Sequence, residues 1–330
     1  MGLGSRGFVL FGCMVSTAAL LAACGISQAV EPSRAPVDDV DLYLMRGGAE
    51  LVPGGSVERA MTVINHGRDM VGNVELFYTT PILINIDGTK KLPDGCAMYY
   101  QNKDYRVPEV VKCTLPPLKH NARVEVSLPL KIYQNAPPVP TYGAAIARPA
   151  DAGKDRERNI TDNIAVPGGV ISLPAIAANG QARQSRAGSR LTLHTSTAAV
   201  PDKPTEAVYR IYNMGDQPAP KVRLQVVTSL YVNTSTAGPL PAGCGMVLKD
   251  PDPAVPEIVD CEIGDLAPGK SREFRIPVKA VPGGPIGQLQ GVALVTRGGA
   301  SRDALQSEVT IAQGMVHGPL ISGVPTSPPR

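Results

Sequence analysis

An internal repeat constrains the fold of this chain more than any other feature. The phrase LPDGCAMYYQNKDYRVPEVVKC runs from Leu92 to Cys113, and LPAGCGMVLKDPDPAVPEIVDC runs from Leu240 to Cys261, 148 residues later (240 − 92). Each phrase encloses two cysteines that are 17 residues apart (113 − 96 and 261 − 244). The same offset relates many other identical residues, without gaps, from about residue 61 to residue 147. A period of this length is that of a whole domain, so the pattern predicts a tandem duplication.

Each copy has the alternating pattern of β-strands. The chain is rich in Gly (34) and Pro (32), which disfavour helix interiors and suit short strands joined by tight turns. Strands are predicted over 60–64, 73–78, 207–212, 221–227 and 272–278. Pro277 predicts a sheet edge or a bulge, because proline cannot donate to a strand ladder. The expected fold class is all-β, with two tandem antiparallel β-sandwiches.

The second copy carries the residues of a known repeat. These are Asn213-Met214-Gly215, Lys221–Leu224, Leu240–Cys244 and Cys261–Gly269. They resemble the conserved repeat of bacterial surface proteins known as domain of unknown function number eleven. The first copy departs from that pattern at Leu115–Asn121, but its register with the second copy extends the resemblance to about 250 residues. The resemblance implies immunoglobulin-like sandwiches used as non-enzymatic extracellular modules.

The N-terminus has the pattern of a bacterial lipoprotein signal. Arg6 precedes an apolar core, Phe8–Ala23, which is short for a membrane span and typical of a signal peptide. The core ends in Leu21-Ala22-Ala23-Cys24, which resembles a lipobox and predicts a diacylglycerol on Cys24. The alternative is ordinary secretion with cleavage after Ala29. Loss of Arg6 with residues 1–23 lowers the net charge from +3 to +2.

These features divide the chain into six parts. They are a signal peptide (1–23), a tether (24–37), a first sandwich (38–167), a linker (168–189), a second sandwich (190–314) and a flexible tail (315–330). The linker is rich in Gly, Ala, Ser and Gln, and its length predicts that the two sandwiches move relative to each other.

The four cysteines of the repeats favour disulfides over a metal. Structural zinc sites pair cysteines in C-x₂₋₄-C spacing, whereas here the separation is 17. An exported chain folds in an oxidising compartment, where disulfides form. The repetition of the cysteine spacing then predicts one disulfide between Cys96 and Cys113 and another between Cys244 and Cys261. Because the Cys-Trp-Cys pattern of immunoglobulin domains is absent, each bridge is expected to staple a local excursion and not the two sheets.

Candidate chemistry is sparse. The chain contains no G-x-S-x-G, H-E-x-x-H or P-loop pattern. Asn85–Gly88 and Lys249–Asp252 carry oxygen ligands suited to Ca²⁺, but solvated acidic turns are the favoured interpretation. No catalytic residue, metal site or cofactor is predicted, and the weak, evenly spread charge does not indicate nucleic acid.

The largest difference between the two phrases is aromatic. Tyr99, Tyr100 and Tyr105 of the first copy are replaced by Val247, Leu248 and Pro253 in the second. Clustered tyrosines provide contact area at low entropy cost, so one hypothesis makes them a partner-contact surface. The competing hypothesis is that Tyr99 and Tyr100 only cap the sandwich.

The expected function follows from the anchor and the repeat. The chain is predicted to be a lipid-anchored protein on the extracytoplasmic face of a bacterial membrane, acting as a non-catalytic interaction or structural module. The alternative is a lipoprotein that binds a glycan or a peptide through the tyrosine-bearing loop. The expected partners are the membrane, through Cys24, and an envelope protein or cell-wall glycan.

Overall fold

The computed structural model describes residues 40–48, 50–134, 136, 140–150, 162–165, 168–170, 191–196, 198–199, 203–282, 291–297, 316–317 and 320–321. Within these residues the fold is all-β, with antiparallel sheets and no helix, as the sequence predicts. The predicted signal peptide (1–23), Cys24 and the tether (24–37) lie outside the described residues.

The first sandwich has two antiparallel sheets. The four-stranded sheet has the order β1-β2-β7-β4, and the five-stranded sheet has the order β10-β9-β3-β6-β5. The strands are β1 (Leu42–Arg46), β2 (Ser56–Asn65), β3 (Val74–Thr79), β4 (Ile84–Ile86), β5 (Cys96–Tyr100), β6 (Val110–Leu115), β7 (Arg123–Ile132), β9 (Ala144–Pro149) and β10 (Ile164–Ala165). β8 (Pro140–Tyr142) pairs with β11 (Gly168–Val170).

The second sandwich repeats this plan. Its four-stranded sheet has the order β12-β14-β19-β16, and its five-stranded sheet has the order β17-β18-β15-β20-β21. The strands are β12 (Leu191–Ser196), β14 (Thr205–Asn213), β15 (Ala219–Val227), β16 (Val232–Asn233), β17 (Cys244–Leu248), β18 (Ile258–Leu266), β19 (Ser271–Ala280), β20 (Val292–Arg297) and β21 (Val316–His317). β13 (Ala198–Ala199) pairs in parallel with β22 (Leu320–Ile321).

The strand order is immunoglobulin-like. In each sandwich the four-stranded sheet matches the A-B-E-D sheet of that fold, and the other contains the G-F-C strands. The alternation predicted from sequence sets the faces: on β3, Val74, Leu76 and Tyr78 are buried in the sandwich core. A hairpin of two further strands, β5-β6 or β17-β18, extends each five-stranded sheet.

The repeated asparagines hold one end of each sandwich. The Nδ2 of Asn65 donates to the carbonyls of Asp69 (2.7 Å) and Leu118 (3.0 Å), and its Oδ1 accepts from the Gly67 amide. Asn213 makes the same three contacts, with Gln217, Leu266 and Gly215. Because both side chains are fully buried, these backbone partners satisfy amide atoms of each asparagine that water cannot reach.

Repeated glycines mark close backbone approaches. A Cβ on Gly143 would lie 2.3 Å from the carbonyl oxygen of Thr79, and one on Gly291 would lie 2.5 Å from that of Val227. The matching glycines of the two copies therefore sit where a side chain has no room.

Strands lie in two segments that were predicted to be linker and tail. β11, at the start of the predicted linker, pairs with β8 of the first sandwich, and β21 and β22 lie in the predicted tail. β21 completes the second five-stranded sheet beside β20, as β10 does beside β9 in the first. Pro277 lies opposite Glu206, beyond the last residue that β16 pairs, so the predicted sheet edge is confirmed at that point.

Candidate functional site

The two cysteine-bounded phrases form disulfide-linked hairpins. Cys96 lies opposite Cys113 in the β5-β6 ladder and bonds to it, and Cys244 lies opposite Cys261 in the same way. Both bridges therefore join neighbouring strands of one sheet, and the predicted pairing and its local character are confirmed. Two such bonds are typical of a protein that folds in an oxidising, extracytoplasmic compartment.

A buried glutamate organises the loop inside each phrase. The carboxylate of Glu109 accepts hydrogen bonds from the amides of Ile86 (2.7 Å) and Asn102 (3.2 Å). Burial raises the pKa of Glu109, although those two amides act in the opposite direction. Glu257 in the second copy is likewise buried and accepts from the amides of Thr234 and Ser235. The shared V-P-E sequence thus belongs to the fold.

The outward face of the first five-stranded sheet packs on the second sandwich. Its outward-facing Phe77, Val110, Ala144 and Ile146 are buried and belong to the apolar cluster of the second sandwich. Reciprocally, outward-facing Val227, Ile258, Val292 and Leu294 belong to the cluster of the first. We call this contact the inter-sandwich interface. Three pairs of these positions are equivalent in the two copies (Val110 and Ile258, Ala144 and Val292, Ile146 and Leu294), so the interface uses the same patch twice.

The inter-sandwich interface packs together two sandwiches that the linker was predicted to let move, and that mobility stays a prediction. The composition and length of the predicted linker allow relative motion, but they do not determine how the sandwiches associate. The deciding feature is apolar residues on both faces of β3, β6 and β9, because a strand with two apolar faces must be covered on both sides.

Polar contacts from the first copy fix the rim of the interface. The Tyr99 hydroxyl donates to Asp250 Oδ2 at 2.8 Å. Arg148 forms a bidentate ion pair with Asp252, with distances of 2.7 Å from Nη1 and 2.6 Å from Nη2. Arg148 also donates to Glu75 on its own sandwich at 2.9 Å. Bidentate arginine–carboxylate pairs add directional specificity to charge attraction.

Phe77 lies at the centre of these charges. The guanidinium of Arg148 is 4.9 Å from the ring centroid of Phe77, and the ammonium of Lys112 is 5.2 Å from it. Tyr99 meets the same ring edge-on, with centroids 5.7 Å apart. Both geometries are attractive for an aromatic quadrupole. Together these residues form a compact aromatic and ionic cluster facing the second sandwich.

The ionisation states of the cluster are set by these contacts. Burial alone would raise the pKa values of Glu75 and Asp252. Lys112 and Arg148 lower the pKa of Glu75 below its ordinary value, and Arg148, the Ala254 amide and Lys112 do the same for Asp252. Their contribution to stability is therefore fully present above the ordinary pKa values of about 4 and is lost as the pH falls through the lower folded-state values. Partial burial and Asp250 raise the pKa of Tyr99 to about 12, so its hydroxyl remains a donor.

Charges at equivalent positions are reversed between the copies. Glu75 pairs with Lys112 in the first sandwich, whereas Arg223 pairs with Asp260 at the matching positions of the second. Each of these ion pairs lies within its own sandwich, with the signs of the two positions exchanged between the copies.

The three predicted contact tyrosines have different surroundings. Tyr99 is 44% exposed and lies at a bulge in β5, between the pairs formed by Met98 and Tyr100. The Tyr100 ring is partly buried and packs against both apolar clusters, and its hydroxyl accepts from Asn102 Nδ2 at 3.0 Å. Tyr105 lies against Tyr133, with centroids 4.9 Å apart. The structure thus brings Tyr99 and Tyr100 to the inter-sandwich interface, whereas the ring contact of Tyr105 is with Tyr133 of its own sandwich.

In the two candidate Ca²⁺ turns, Asn85–Gly88 and Lys249–Asp252, acidic side chains accept hydrogen bonds from other groups of the chain. Asp87 accepts from the amide and hydroxyl of Thr89, and Asp250 accepts from the Asp252 amide and from Tyr99. Within the described residues, no three His, Cys, Asp or Glu side chains converge as metal ligands. A cleft on the second sandwich has four prolines among its ten lining residues, and its charged residues, Glu206 and Arg275, pair at 3.1 Å. In the part of the chain that the structure describes, no helix has the length and apolar character to cross a membrane.

Comparison with known proteins finds similarity only among solved structures. No family model and no curated protein matches the chain. A structure titled for AvmM, which catalyses macrocyclization in alchivemycin A biosynthesis, is 11% identical over 43% of this chain and 93% of its own, with a TM-score of 0.27. A cohesin module of a family 33 glycoside hydrolase from Clostridium perfringens is 9% identical over 42% of this chain and 99% of its own, also at 0.27. Red sea bream transglutaminase is 14% identical over 77% of this chain and 28% of its own, at 0.23. Values this low assign no activity to this chain.

Proposed function

We propose that this chain is a lipid-anchored bacterial envelope protein that acts as a non-catalytic interaction or structural module. The inter-sandwich interface is the observation that carries the structural part of the proposal. Buried apolar residues from both sandwiches, the bidentate Arg148–Asp252 pair and the Tyr99–Asp250 hydrogen bond all favour one fixed arrangement. A lipid at Cys24 would then tether a single stiff body to the membrane.

The anchor part of the proposal is supported by the sequence around Cys24. Small residues precede this cysteine, as a lipobox requires, and the two disulfides agree with export. One acyl chain holds a protein only marginally, whereas the two or three chains of a lipoprotein hold it firmly.

Replacing Cys24 tests the anchor. In Cys24→Ala we expect the protein to leave the membrane fraction, or to accumulate as a precursor that retains residues 1–23. Fractionation of cells followed by intact-mass measurement checks both. Cys13→Ala is the matched control, since Cys13 lies within the predicted signal core and the variant should be processed normally. Normal processing of Cys24→Ala together with normal membrane association would contradict the proposal.

A further inference from the structure

One end of the first sandwich differs from its twin in charge. We call the turns at residues 65–73 and 116–123 the first tip, and the equivalent turns at 213–221 and 264–271 the second tip. The first tip carries Arg68, Lys119 and Arg123 against Asp69, a net charge of +2 (3 − 1). The second tip carries two lysines and two aspartates, for a net charge of zero. The three basic side chains of the first tip are exposed.

Exposed apolar side chains accompany this charge. Met70 at the first tip is 59% exposed. On the neighbouring β1, Tyr43 is 37% exposed and Met45 is 48% exposed. The ring of Tyr43 lies beside His66 of the tip, with centroids 5.6 Å apart. Basic residues around exposed Met and Tyr match the chemistry of a bilayer surface, where anionic headgroups overlie apolar chains.

The first tip is also where the chain enters the first sandwich. The Asp41 carbonyl accepts hydrogen bonds from the amides of His66 (2.7 Å) and Gly67 (3.3 Å). Asp41 follows Cys24 by 17 residues (41 − 24), so the first tip contacts the described part of the folded body that is near the predicted lipid along the chain.

The tip presents these side chains on a fixed backbone. Asn65 binds the carbonyls of Asp69 and Leu118, one in each turn, and its own carbonyl accepts from the Asn121 amide at 2.7 Å. Val71 and Leu118 add a reciprocal pair of backbone hydrogen bonds between the turns. A surface held in this way loses little conformational entropy when it binds.

We infer that the first tip docks onto the anionic phospholipid surface of the membrane. Arg68, Lys119 and Arg123 contact the headgroups, and Met70 and Tyr43 enter the boundary with the acyl chains. Docking adds a second membrane contact to the lipid on Cys24 and fixes the orientation of the two-sandwich body. This inference rests on the proposed membrane anchor for its geometry, but it can fail or succeed separately.

The absence of tryptophan from the chain gives a direct test. Met70→Trp places a single tryptophan at the first tip, and Met214→Trp, at a methionine that is 64% exposed, places one at the second tip. Purified full-length variants are mixed with vesicles of phosphatidylcholine, with or without phosphatidylglycerol, in which the acyl chains are brominated. We expect the bromines to quench Met70→Trp fluorescence by half or more when phosphatidylglycerol is present, and to leave Met214→Trp unchanged.

Charge reversal and salt complete the test. Arg68→Glu/Lys119→Glu in the Met70→Trp background should abolish quenching, as should about 1 M salt, because screening at that ionic strength acts within about 3 Å. Equal quenching of the two tips, or no quenching of Met70→Trp, would overturn the inference. So would a Met70→Trp spectral change with polyglutamate but not with vesicles, which would indicate an acidic polypeptide as the partner.

Membrane attachment through the lipid on Cys24 is tested separately by flotation of the chain with vesicles. A lipidated chain that floats without quenching of Met70→Trp overturns docking of the tip and leaves the anchor intact. If the processed chain carries no acyl groups but the fluorescence of Met70→Trp is still quenched, the proposed anchor is wrong and docking of the tip is supported.

Discussion

Single residues explain why the two copies share some positions and not others. Asn65 and Asn213 repeat because each closes the same set of backbone hydrogen bonds. Arg59 does not repeat: it is 1% exposed, and its equivalent in the second sandwich is Ala207. Its Nη1 donates to the Gly47 carbonyl at 2.9 Å. Arg59 stands at an inward position in the alternation of β2. Because a charged side chain is not expected in an apolar core, the sequence alone did not predict that Arg59 is buried.

Removal of either repeated asparagine should destabilise its sandwich. In Asn65→Ala and Asn213→Ala we expect the free energy of unfolding to fall by about 2 kcal/mol, because buried backbone groups lose their partners. Urea denaturation monitored by circular dichroism measures this. Asn73→Ala, at an exposed position beside the same turn, is the control and should change stability by less than about 0.5 kcal/mol. Stability of Asn65→Ala equal to that of the control would contradict this role.

At the scale of elements, the sequence predicted strands better than it predicted their partners. Periodicity two identified β2, β3, β14, β15 and β19, since alternate residues face one core. β6 and β9 carry apolar residues on both faces, and their outward residues pack on the other sandwich. Which surface covers an outward face is decided by contacts far apart in sequence, so periodicity could not identify it.

The hairpin bridges should stabilise both copies alike. We expect Cys96→Ala/Cys113→Ala to lower the free energy of unfolding by about 3 kcal/mol, because the unfolded chain regains the entropy of an open loop. Cys244→Ala/Cys261→Ala opens a loop of the same length and is the matched comparison. Denaturant titration of both variants checks the value. A loss below about 1 kcal/mol in both would show that the β5-β6 and β17-β18 ladders hold without their bridges.

At the scale of the whole molecule, the two phrases share a hairpin and differ in part of their interface contacts. The shared L-P-x-G-C, V-P-E and Cys positions build the hairpin. At the inter-sandwich interface, Tyr99 and Asp250 stand at positions that differ between the copies, whereas Asp252 has the identical Asp104 as its equivalent. Tyr99 binds Asp250, which stands at the position of Asn102 in the first copy, and Arg148 binds Asp252. The sequence showed that only the first copy has tyrosines at these positions. It predicted that they form either a partner-contact surface or a cap on the sandwich. The partner for Tyr99 is the other copy, which a comparison of aligned residues does not reveal.

Small-angle X-ray scattering of wild type and Ile146→Asp shows whether the two sandwiches form one fixed body. Ile146 is fully buried against the second sandwich, so a carboxylate there should separate the sandwiches without unfolding either. Thr62→Asp, on the outward face of the four-stranded sheet, is the control. We predict a compact wild type, an unchanged control and a larger radius of gyration for Ile146→Asp. Identical extended profiles for wild type and Ile146→Asp would contradict the fixed arrangement.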